Sequence, residues 1–510
     1  MTALRPNALW AMEQLPRGGR GAEVGTHRGR WTQGLRDVAA PAELTLIDPW
    51  AEDPGRDGRA LAYAADQARR DADHAAVAAA FPEATIRRAA SAEVLPTLGD
   101  AALDWLFLDG EKQYDVLLSD LEQAARIVRP GGVVAGGGWH WGRELGWPVR
   151  AALRDVAARI DGARIDRRGM FWTLRLPDRV TLAPRPPRRG HLIVSTMKNE
   201  APYLVDWIAH HRAVGFDGFL VYTNDCEDGT DRLLARMQSL GGVTHVANTV
   251  LRRGPHKSAL KWARDHVATA RAEWILISDA DEFLNPCGHG TVQGLLRALG
   301  PETDVVSFPW KVFGNSGVGA FADRPVPAQF TACEPEPRRG GRRGREVKTM
   351  FRRLDAMHHL GLHRPRVAPA WRDRIVWRAP DGRDLSDRMN DGQGWTMPWA
   401  GCGDAGYMHH YPLRSREAYI LKKNRGRANH VSEDLGLDYW RKWDLTGGRD
   451  RSLAEGAPGF AEGRAALMAD RQVRRLHREA VAWHRAEFAR LMTQPRFRAL
   501  WDELDGRTAA

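Results

Sequence analysis

The sequence predicts an α/β fold class: two open α/β domains followed by a helical C-terminal extension. The chain has 510 residues, whereas a single hydrophobic core rarely serves more than roughly 250–300 residues. Short apolar runs alternate with helical stretches twice along the chain, and a segment rich in proline and arginine separates the two series. We therefore predict a first domain at 1–176, a linker at 177–190, a second domain at 191–445 and a helical extension at 446–510.

The elements follow the hydrophobic pattern in chain order. In the first half we predict strands at 44–47, 105–108 and 132–135 and a helix at 114–128. In the second half we predict strands at 191–196, 217–222, 243–247, 274–278 and 304–312, with helices at 201–213, 230–240 and 257–270. The stretch 334–346 is dense in arginine and glycine and is predicted to be a mobile loop, whereas 465–504 is predicted to be a packing helix pair.

The composition is that of a globular protein, with 43% hydrophobic and 27% charged residues. The formal net charge of +11 suits anionic partners, although a solvated arginine-rich surface explains the total better. No helix-turn-helix and no basic patch interleaved with aromatic residues is present, so nucleic acid is not expected as a partner.

The sequence also bears on the compartment. The four cysteines are widely separated and form no Cys-x-x-Cys pair, so neither a zinc site nor a redox motif is indicated. No apolar run approaches the ~18 residues of a membrane span, and the first residues lack the pattern of a secretion signal. We therefore expect a cytoplasmic protein and leave peripheral membrane contact open.

Two carboxylates, Asp279 and Asp281, follow the predicted strand 274–278. In extended backbone the side chains at i and i+2 point the same way, and oxygen ligands suit a hard divalent cation such as Mn²⁺ or Mg²⁺. Such a cation bridges the phosphates of a nucleotide sugar and stabilises the leaving diphosphate. The same triplet at Asp71 and Asp73 lies in an alanine-rich helical stretch. There the carboxylates diverge, and we assign no site.

The residues around Asp279 resemble family 2-like glycosyltransferases of the GT-A fold. The resemblance rests on Asn199-Glu200 after the first strand of this domain, on the Asp228-Gly229-Thr230 turn after the second and on the motif at 310–317, followed by Lys348 and by 361–363. It extends to a C-terminal signature around His410 and ends near residue 444. The resemblance implies a nucleotide-sugar donor, which we expect to be a UDP-sugar, and a hydroxyl acceptor on a glycan or another molecule.

The resemblance also implies roles for individual residues. The implied donor-binding residues are Asn199, Glu200, Asp225, Asp228, Asp279, Lys422 and Arg425, and the implied metal ligands are Asp279, Asp281 and His410. A structural role for His410, and a solvated helix face for Lys422 and Arg425, remain open alternatives. An inverting reaction needs an acidic residue to deprotonate the acceptor hydroxyl. The sequence does not identify that base, and the candidates are Glu282, Asp387 and Asp391.

The first half carries a glycine motif, Glu23-x-Gly25-x-x-x-Gly29, with Asp48 at the end of the next strand. Glycines at such a strand-to-helix turn let the backbone approach a cofactor closely. Together with 106–110 and 128–132, the motif resembles class I S-adenosylmethionine-dependent methyltransferases. The resemblance implies cofactor contacts from Glu23, Gly25, Gly29, Asp48 and Asp109, with Ala92 or Glu93 near the adenine.

Two stretches depart from the methyltransferase branch that the first half resembles. Glu111-Lys112 stands where that branch usually has a histidine, and Gly136-Gly137-Gly138 precedes Trp139 where it usually has paired aspartates. Three interpretations remain: an active methyltransferase that needs no metal, a cofactor-binding relic, or a scaffold for the transferase. The departures favour the relic or the scaffold.

Overall fold

The structure is a computed structural model that describes residues 5–51, 66–335, 345–352, 354–391, 396–397, 405–425 and 435–506. The chain divides into two compact units, Met1–Pro187 with Asp265–Val267 and Arg188–Arg264 with Ala268–Ala510. Each unit is built on its own α/β sheet, and the C-terminal region is helical. The predicted fold class is therefore confirmed. None of the described helices is long and apolar enough to cross a membrane. The predicted loop at 334–346 falls mostly outside the described residues.

The first unit has a seven-stranded sheet in the order β3-β2-β1-β4-β5-β7-β6. Strands β1 to β5 run parallel, and β7 is antiparallel to both of its neighbours. The strands are β1 Arg20–Val24, β2 Glu43–Ile47, β3 Thr85–Arg87, β4 Leu103–Leu108, β5 Val128–Gly136, β6 Arg164–Arg168 and β7 Phe171–Arg175. The helices are α1 Pro6–Glu13, α2 Thr32–Ala39, α3 Gln67–Ala80, α4 Ser91–Val94, α5 Tyr114–Ile127 and α6 Pro148–Ala157. The central strands are apolar and buried because helices cover both faces of a parallel sheet.

The second unit has a ten-stranded sheet whose main path is β10-β9-β8-β11-β15-β13-β20-β12. Strands β10, β9, β8 and β11 are parallel, and β15 runs antiparallel between β11 and β13. The strands of this sheet are β8 His191–Met197, β9 Gly218–Thr223, β10 Val243–Ala247, β11 Trp274–Ile277, β12 Glu282–Asn285, β13 Val305–Val312, β15 Arg345–Phe351, β18 Trp377–Arg378, β19 Thr396–Met397 and β20 Tyr407–His410. Separate two-stranded sheets are formed by β14 Ala332–Cys333 with β21 Gly448–Arg449 and by β16 Met357–His359 with β17 Arg366–Val367.

The helices after residue 190 are α7 Ala201–Ala213, α8 Thr230–Leu240, α9 Pro255–Arg264, α10 Val267–Arg271, α11 Val292–Leu299, α12 Val326–Gln329, α13 Ser386–Asn390, α14 Arg416–Arg425, α15 Leu437–Trp443, α16 Phe460–Ala469, α17 Arg471–Met492 and α18 Pro495–Asp505. The single helix predicted at 257–270 is wrong, because α9 ends at Arg264 and α10 begins at Val267. The sequence hid this break because Leu260, Ala263, Val267 and Ala270 keep the helical spacing of three and four residues across it.

Within residues 446–506 the C-terminal extension contains the helices α16, α17 and α18, rather than the predicted helix pair, and the short strand β21. Val473, Leu476 and Ala480 of α17 are buried in the main core of this unit. Asp470 caps the helix by accepting hydrogen bonds from the backbone N–H groups of Gln472 and Val473. Helix α17 also packs against α7, α8 and α14, so the extension borders the carboxyl edge of the sheet.

Candidate functional site

The carboxyl ends of β8, β9 and β11 lie at one edge of the second sheet, where the strand order reverses between β8 and β11. In open α/β sheets, ligands bind at this edge. The sequence-predicted acidic and amide residues that follow these strands are Asn199 and Glu200 after β8, Asp225 and Asp228 after β9, and Asp279 and Asp281 after β11. The structure therefore brings these six residues to the same edge.

Asp228 holds the turn between β9 and α8. Its Oδ2 accepts a hydrogen bond from the backbone N–H of Ala201 at 2.8 Å, and its Oδ1 accepts from the N–H of Thr230 at 2.9 Å and from the Thr230 hydroxyl at 2.6 Å. The Thr230 oxygen in turn accepts from the N–H of Glu200 at 2.8 Å. The carboxylate of Asp228 is buried and engaged within the protein. Asp228 therefore shapes the edge; it also lines a cavity beside Asp281, and its predicted donor contact stays a prediction.

Asn199 and Asp225 occupy the left-handed region of backbone conformation, with φ of 53° and 49°. The Asn199 side-chain oxygen accepts a hydrogen bond from the N–H of Glu227 at 2.8 Å, which ties the β8 loop to the β9 loop. Asp225 is exposed. Of these two residues, Asp225 is the one whose carboxylate faces solvent at the edge, and its contact with the donor stays a prediction.

Each carboxylate of the predicted metal motif is paired with a lysine. Oδ2 of Asp279 lies 2.9 Å from Nζ of Lys348, and Oδ2 of Asp281 lies 2.9 Å from Nζ of Lys422. Burial alone would raise the pKa of both aspartates, but the lysines outweigh it and hold both pKa values below the ordinary range. Both side chains are therefore ionised at neutral pH, which a metal-ligating carboxylate must be.

Lys348 lies on β15, and its side chain is fully buried. Its ammonium also lies 3.2 Å from Oε2 of Glu282. Glu282 is fully buried, and burial raises its pKa to about 8. Its Oε2 accepts a hydrogen bond from the N–H of Asp279 at 2.9 Å. Glu282 was a candidate base, but its carboxyl group lies inside the protein below the edge. Because an acceptor hydroxyl cannot reach it there, the structure corrects that assignment.

Glu200 is also buried, and two arginines hold it. Its Oε2 lies 2.8 Å from Nη1 of Arg414, and its Oε1 lies 2.5 Å from Nη2 of Arg425. Burial would raise the pKa of Glu200, but these guanidinium groups lower it below its usual value. Arg425 also donates to the carbonyls of Lys198 at 2.6 Å and Asn199 at 2.9 Å. Both oxygens of Glu200 are therefore engaged within the protein, whereas Arg425 also lines a cavity beside Asp281, and its predicted donor contact stays a prediction.

Arg414 received no role from the sequence. It follows β20 with a positive φ of 58°, and its Nη2 donates to the carbonyl of Ala280, between the two aspartates, at 2.9 Å. Its guanidinium carbon lies 3.7 Å from the ring centroid of Tyr203. Arg414 thus fixes the backbone of the metal motif to helix α7. The feature of the sequence that could have indicated a role for Arg414 is its position in the C-terminal signature, between His410 and Lys422.

His410 ends β20, and its Nε2 lies 3.8 Å from Oδ1 of Asp281. The imidazole packs on the Trp310 ring, with centroids 4.2 Å apart, and its buried Nδ1 has no hydrogen-bond partner. Burial lowers the pKa of His410 to about 4, so the ring is neutral at pH 7 and keeps a lone pair for a cation. The structure brings His410 to Asp281, as predicted.

The two remaining candidate bases, Asp387 and Asp391, are exposed. Asp387 lies on the short helix α13, and Asp391 is its C-terminal cap. Helix α13 packs against β18, which pairs with β13 away from the β8 and β9 loops. The structure therefore does not place either aspartate among the residues of the carboxyl edge described here, and neither is assigned as the base.

A cavity of about 120 Å³ opens beside Asp281. Its wall includes Lys422 and Arg425 of α14 and, from the C-terminal extension, Trp483 and Glu487 of α17. The cavity wall therefore combines charged groups with the aromatic surface of Trp483. Helix α17 therefore contributes to the candidate site, which the sequence did not predict.

The donor atoms at this edge are suited to a divalent cation that shares its coordination with phosphate. Within the described ranges, no three side chains of His, Cys, Asp or Glu form a group that could hold a metal ion. Mg²⁺, however, is usually bound by one or two carboxylates together with substrate phosphates. Asp279 and Asp281 supply ionised oxygens, and the neutral imidazole of His410 lies with its Nε2 3.8 Å from Oδ1 of Asp281. These residues therefore fit a cation that arrives with a diphosphate.

In the first unit, the predicted cofactor residues also lie at one carboxyl edge. The N–H of Gly25 donates to the carbonyl of Ile47, and the N–H of Asp109 donates to the carbonyl of Val24, both at 2.9 Å. Asp48 accepts hydrogen bonds from the N–H groups of His27 and Trp50. Gly29 lies in the same loop, and a Cβ there would lie 2.8 Å from the Phe81 ring.

Two acidic residues at this edge of the first unit, Glu23 and Asp109, form hydrogen bonds or ion pairs within the protein. Glu23 is fully buried, and burial raises its pKa to about 8. Its Oε1 has no hydrogen-bond partner, whereas its Oε2 accepts from the Thr32 hydroxyl. Asp109 accepts from the Trp31 indole at 2.7 Å and lies 3.0 Å from Nζ of Lys112. The unpaired oxygen of Glu23 is an observation that fits a ligand here.

The departures from the methyltransferase pattern have a structural consequence. The Lys112 side chain lies against Gly138, shortly after β5, and a Cβ on Gly138 would approach its Cε to 2.8 Å. Any larger residue at Gly138 would therefore displace the lysine. Lys112 and Gly138 are mutually adapted, and the ammonium provides the positive charge beside Asp109.

Comparisons with known proteins divide the chain in the same way. A family model described as a methyltransferase domain matches residues 22–137, and one described as glycosyltransferase family 92 matches residues 194–366. A glycosyltransferase family 92 protein of Oryza sativa subsp. japonica is 28% identical over 280 residues, which are 54% of this chain and 40% of that protein. The alignment thus spans well under half the length of this curated relative.

Solved structures also resemble part of the chain. An O-methyltransferase from Bacillus cereus in complex with SAH is 17% identical, with a TM-score of 0.24, and the match covers 34% of this chain and 82% of that one. Spermidine synthase from Thermotoga maritima is 14% identical, with a TM-score of 0.25 and coverage of 34% and 58%. Because these scores are low, the fold assignment rests on the strand order described above.

The two matched models describe two classes of transferase, one in each half of the chain. The order predicted from the sequence, a methyltransferase-like domain followed by a glycosyltransferase domain, is therefore confirmed. The glycosyltransferase model that matches is family 92, whereas the sequence resemblance was drawn to family 2. The donor, the acceptor and the metal belong to the proposal that follows.

Proposed function

We propose that the second unit transfers a sugar from a nucleotide-sugar donor, expected to be a UDP-sugar, to a hydroxyl of a glycan or another acceptor. One observation carries the proposal: Asp279, Asp281, His410, Lys348 and Lys422 converge at the carboxyl edge of β11. Ionised carboxylates next to lysine ammonium groups are what a diphosphate with a divalent cation requires. The GT-A assignment is part of this proposal.

In this proposal Asp279, Asp281 and His410 hold the cation, Mn²⁺ or Mg²⁺, which neutralises charge on the diphosphate when bound. Lys348 and Lys422 hold the two carboxylates in position. Arg414 fixes the backbone between them through the carbonyl of Ala280. The cavity beside Asp281, with the Trp483 indole on its wall, is the space that we assign to a sugar, because aromatic faces pack well against the apolar faces of sugar rings.

The test is titration calorimetry with UDP in the presence and absence of Mn²⁺. Wild-type protein should bind UDP only with Mn²⁺. Asp281→Asn should lose that binding while circular dichroism shows that it remains folded, although its unfolding temperature should fall because Lys422 loses its partner. Asp387→Asn is the matched control, since Asp387 is exposed on α13, and it should bind like wild type. Wild-type binding by Asp281→Asn would refute the metal assignment. Absence of binding to wild type would redirect the search to GDP and CDP.

A second function has its own support. The first unit matches a methyltransferase domain model at residues 22–137, and the unpaired buried oxygen of Glu23 lies at its cofactor edge. We infer that this unit binds S-adenosylmethionine, with Glu23, Gly25, Gly29, Asp48 and Asp109 around the ligand; the cofactor would supply the methyl group. Calorimetry of the full chain with S-adenosylmethionine tests this, and absence of binding heat from folded protein would leave the scaffold role.

A further inference from the structure

Helix α9 begins beside the carboxyl edge of the second sheet. Hydrogen bonds fix the conformation of the loop that precedes it. The Asn248 side chain donates to the carbonyl of Pro255 at 2.8 Å. The Ser258 hydroxyl accepts from the N–H of Leu251 at 2.8 Å and donates to the carbonyl of Gly254 at 2.6 Å. The helix packs against β8, the strand whose carboxyl end leads into Asn199 and Glu200.

The start of α9 is strongly positive. Pro255 has no N–H, and the N–H groups of His256 and Lys257 lie in the first turn, where no carbonyl of the helix can accept them. The first turn contains no acidic residue. Arg252, Arg253 and Lys257 are exposed around it. The positive, N-terminal end of the helix dipole adds to the charge of these side chains, so the first turn favours an anion.

A second observation is independent of the helix terminus. The His256 side chain is 5% exposed, and its Nε2 is buried without a hydrogen-bond partner. The imidazole lies within electrostatic range of Asp279 and Lys348, so it is near the candidate metal motif. An unpaired buried polar atom costs free energy unless a ligand satisfies it. Both the turn and this nitrogen therefore point to an anionic ligand next to Asp279.

We propose that the first turn of α9, with His256, Arg252 and Arg253, binds a phosphoryl group of the nucleotide donor. The inference rests on the proposed glycosyl transfer and adds residues to it. It also resolves an electrostatic conflict, because Asp279 and Asp281 repel a diphosphate. A cation offsets this repulsion from the carboxylate side, and the α9 turn supplies hydrogen bonds and positive charge from its own residues.

The experiment compares two substitutions of His256 with a control on the same helix. His256→Leu keeps the volume and removes the nitrogen, whereas His256→Gln restores an N–H donor at a similar reach. Lys261→Gln removes one positive charge from the last turn of α9 and leaves the first turn intact. The affinity of the full chain for UDP with Mn²⁺ is measured by calorimetry, and that for inorganic pyrophosphate by its competition with UDP.

We expect His256→Leu to weaken UDP and pyrophosphate binding by at least about tenfold, since a hydrogen bond to a charged group contributes on that scale. His256→Gln should recover most of the affinity, and Lys261→Gln should bind like wild type. If His256→Leu weakened UDP but not pyrophosphate, the contact would be with base or ribose and the proposal would be overturned. Unchanged affinity in His256→Leu would overturn it as well.

These outcomes remain separate from failure of the proposed function. If wild-type protein binds none of UDP, GDP and CDP with Mn²⁺, the nucleotide-sugar proposal fails before the variants are compared. If wild type binds and His256→Leu binds equally well, only the α9 inference fails. A loss in His256→Leu that His256→Gln does not recover would assign His256 to packing and would also overturn the phosphoryl contact.

Discussion

Replacing Arg414 by Met should destabilise the second unit more than any surface charge change. The side chain is almost fully buried and lies 2.8 Å from Glu200, with a further hydrogen bond of 2.9 Å to the carbonyl of Ala280. Removing one partner of a buried ion pair costs about 3–5 kcal/mol. Arg425 still compensates Glu200 at 2.5 Å, so we expect the lower end, about 3 kcal/mol.

Urea unfolding followed by tryptophan fluorescence measures this change. The matched control is Arg441→Met, because Arg441 and its partner Asp438 are 53% and 98% exposed. Exposed pairs contribute at most about 1 kcal/mol, so the control should unfold like wild type. Arg414→Lys should not restore stability, since a single ammonium cannot reach Glu200 and the Ala280 carbonyl in the same planar geometry. A loss below about 1 kcal/mol in Arg414→Met would refute the argument.

Two further predictions concern groups on either unit. Burial raises the pKa of Glu282 from 4.5 to about 8. Between these two pH values the unfolded chain loses the Glu282 proton while the folded chain keeps it. The stabilisation that this group contributes to folding is therefore complete below pH 4.5 and declines as the pH rises towards 8. Glu282→Gln should remove that component of the pH dependence of thermal unfolding, and an unchanged profile would contradict the assignment. In the first unit, Gly25 has φ of 85° and a Cβ there would lie 2.4 Å from the backbone nitrogen of Gly110. Gly25→Ala should thus cost at least about 2 kcal/mol, measured by urea unfolding beside Gly99→Ala, where a Cβ meets nothing within 4 Å and little change is expected.

Much of the fold was readable because its signals are local. Strands such as β8 and β11 are continuous apolar runs, and their alternation with helices indicates a parallel sheet. The positions of Asp279 and Asp281 followed from the strand before them. The control triplet behaved as expected, since Asp71 and Asp73 lie on α3 and bond separate arginines, Arg88 and Arg28.

What the sequence could not provide are pairings between distant residues. Glu200 and Arg414 are 214 positions apart, and neither spacing nor periodicity connects them. Asp228 looked available for a ligand because the sequence does not show that the N–H groups of Ala201 and Thr230 occupy its oxygens. Glu282 follows the motif directly, and only the structure shows that it points inward to Lys348.

The pairing of each motif aspartate with a lysine has a thermodynamic consequence. Asp279 with Lys348 and Asp281 with Lys422 are neutral pairs. A divalent cation that arrives alone must compete with two ammonium groups, and a diphosphate that arrives alone meets two carboxylates. When both arrive, the cation offsets the repulsion between the carboxylates and the phosphates, and Lys422, which lines the cavity, adds positive charge beside the diphosphate. Cation and nucleotide should therefore bind with positive cooperativity, and by linkage each raises the affinity of the other by the same factor.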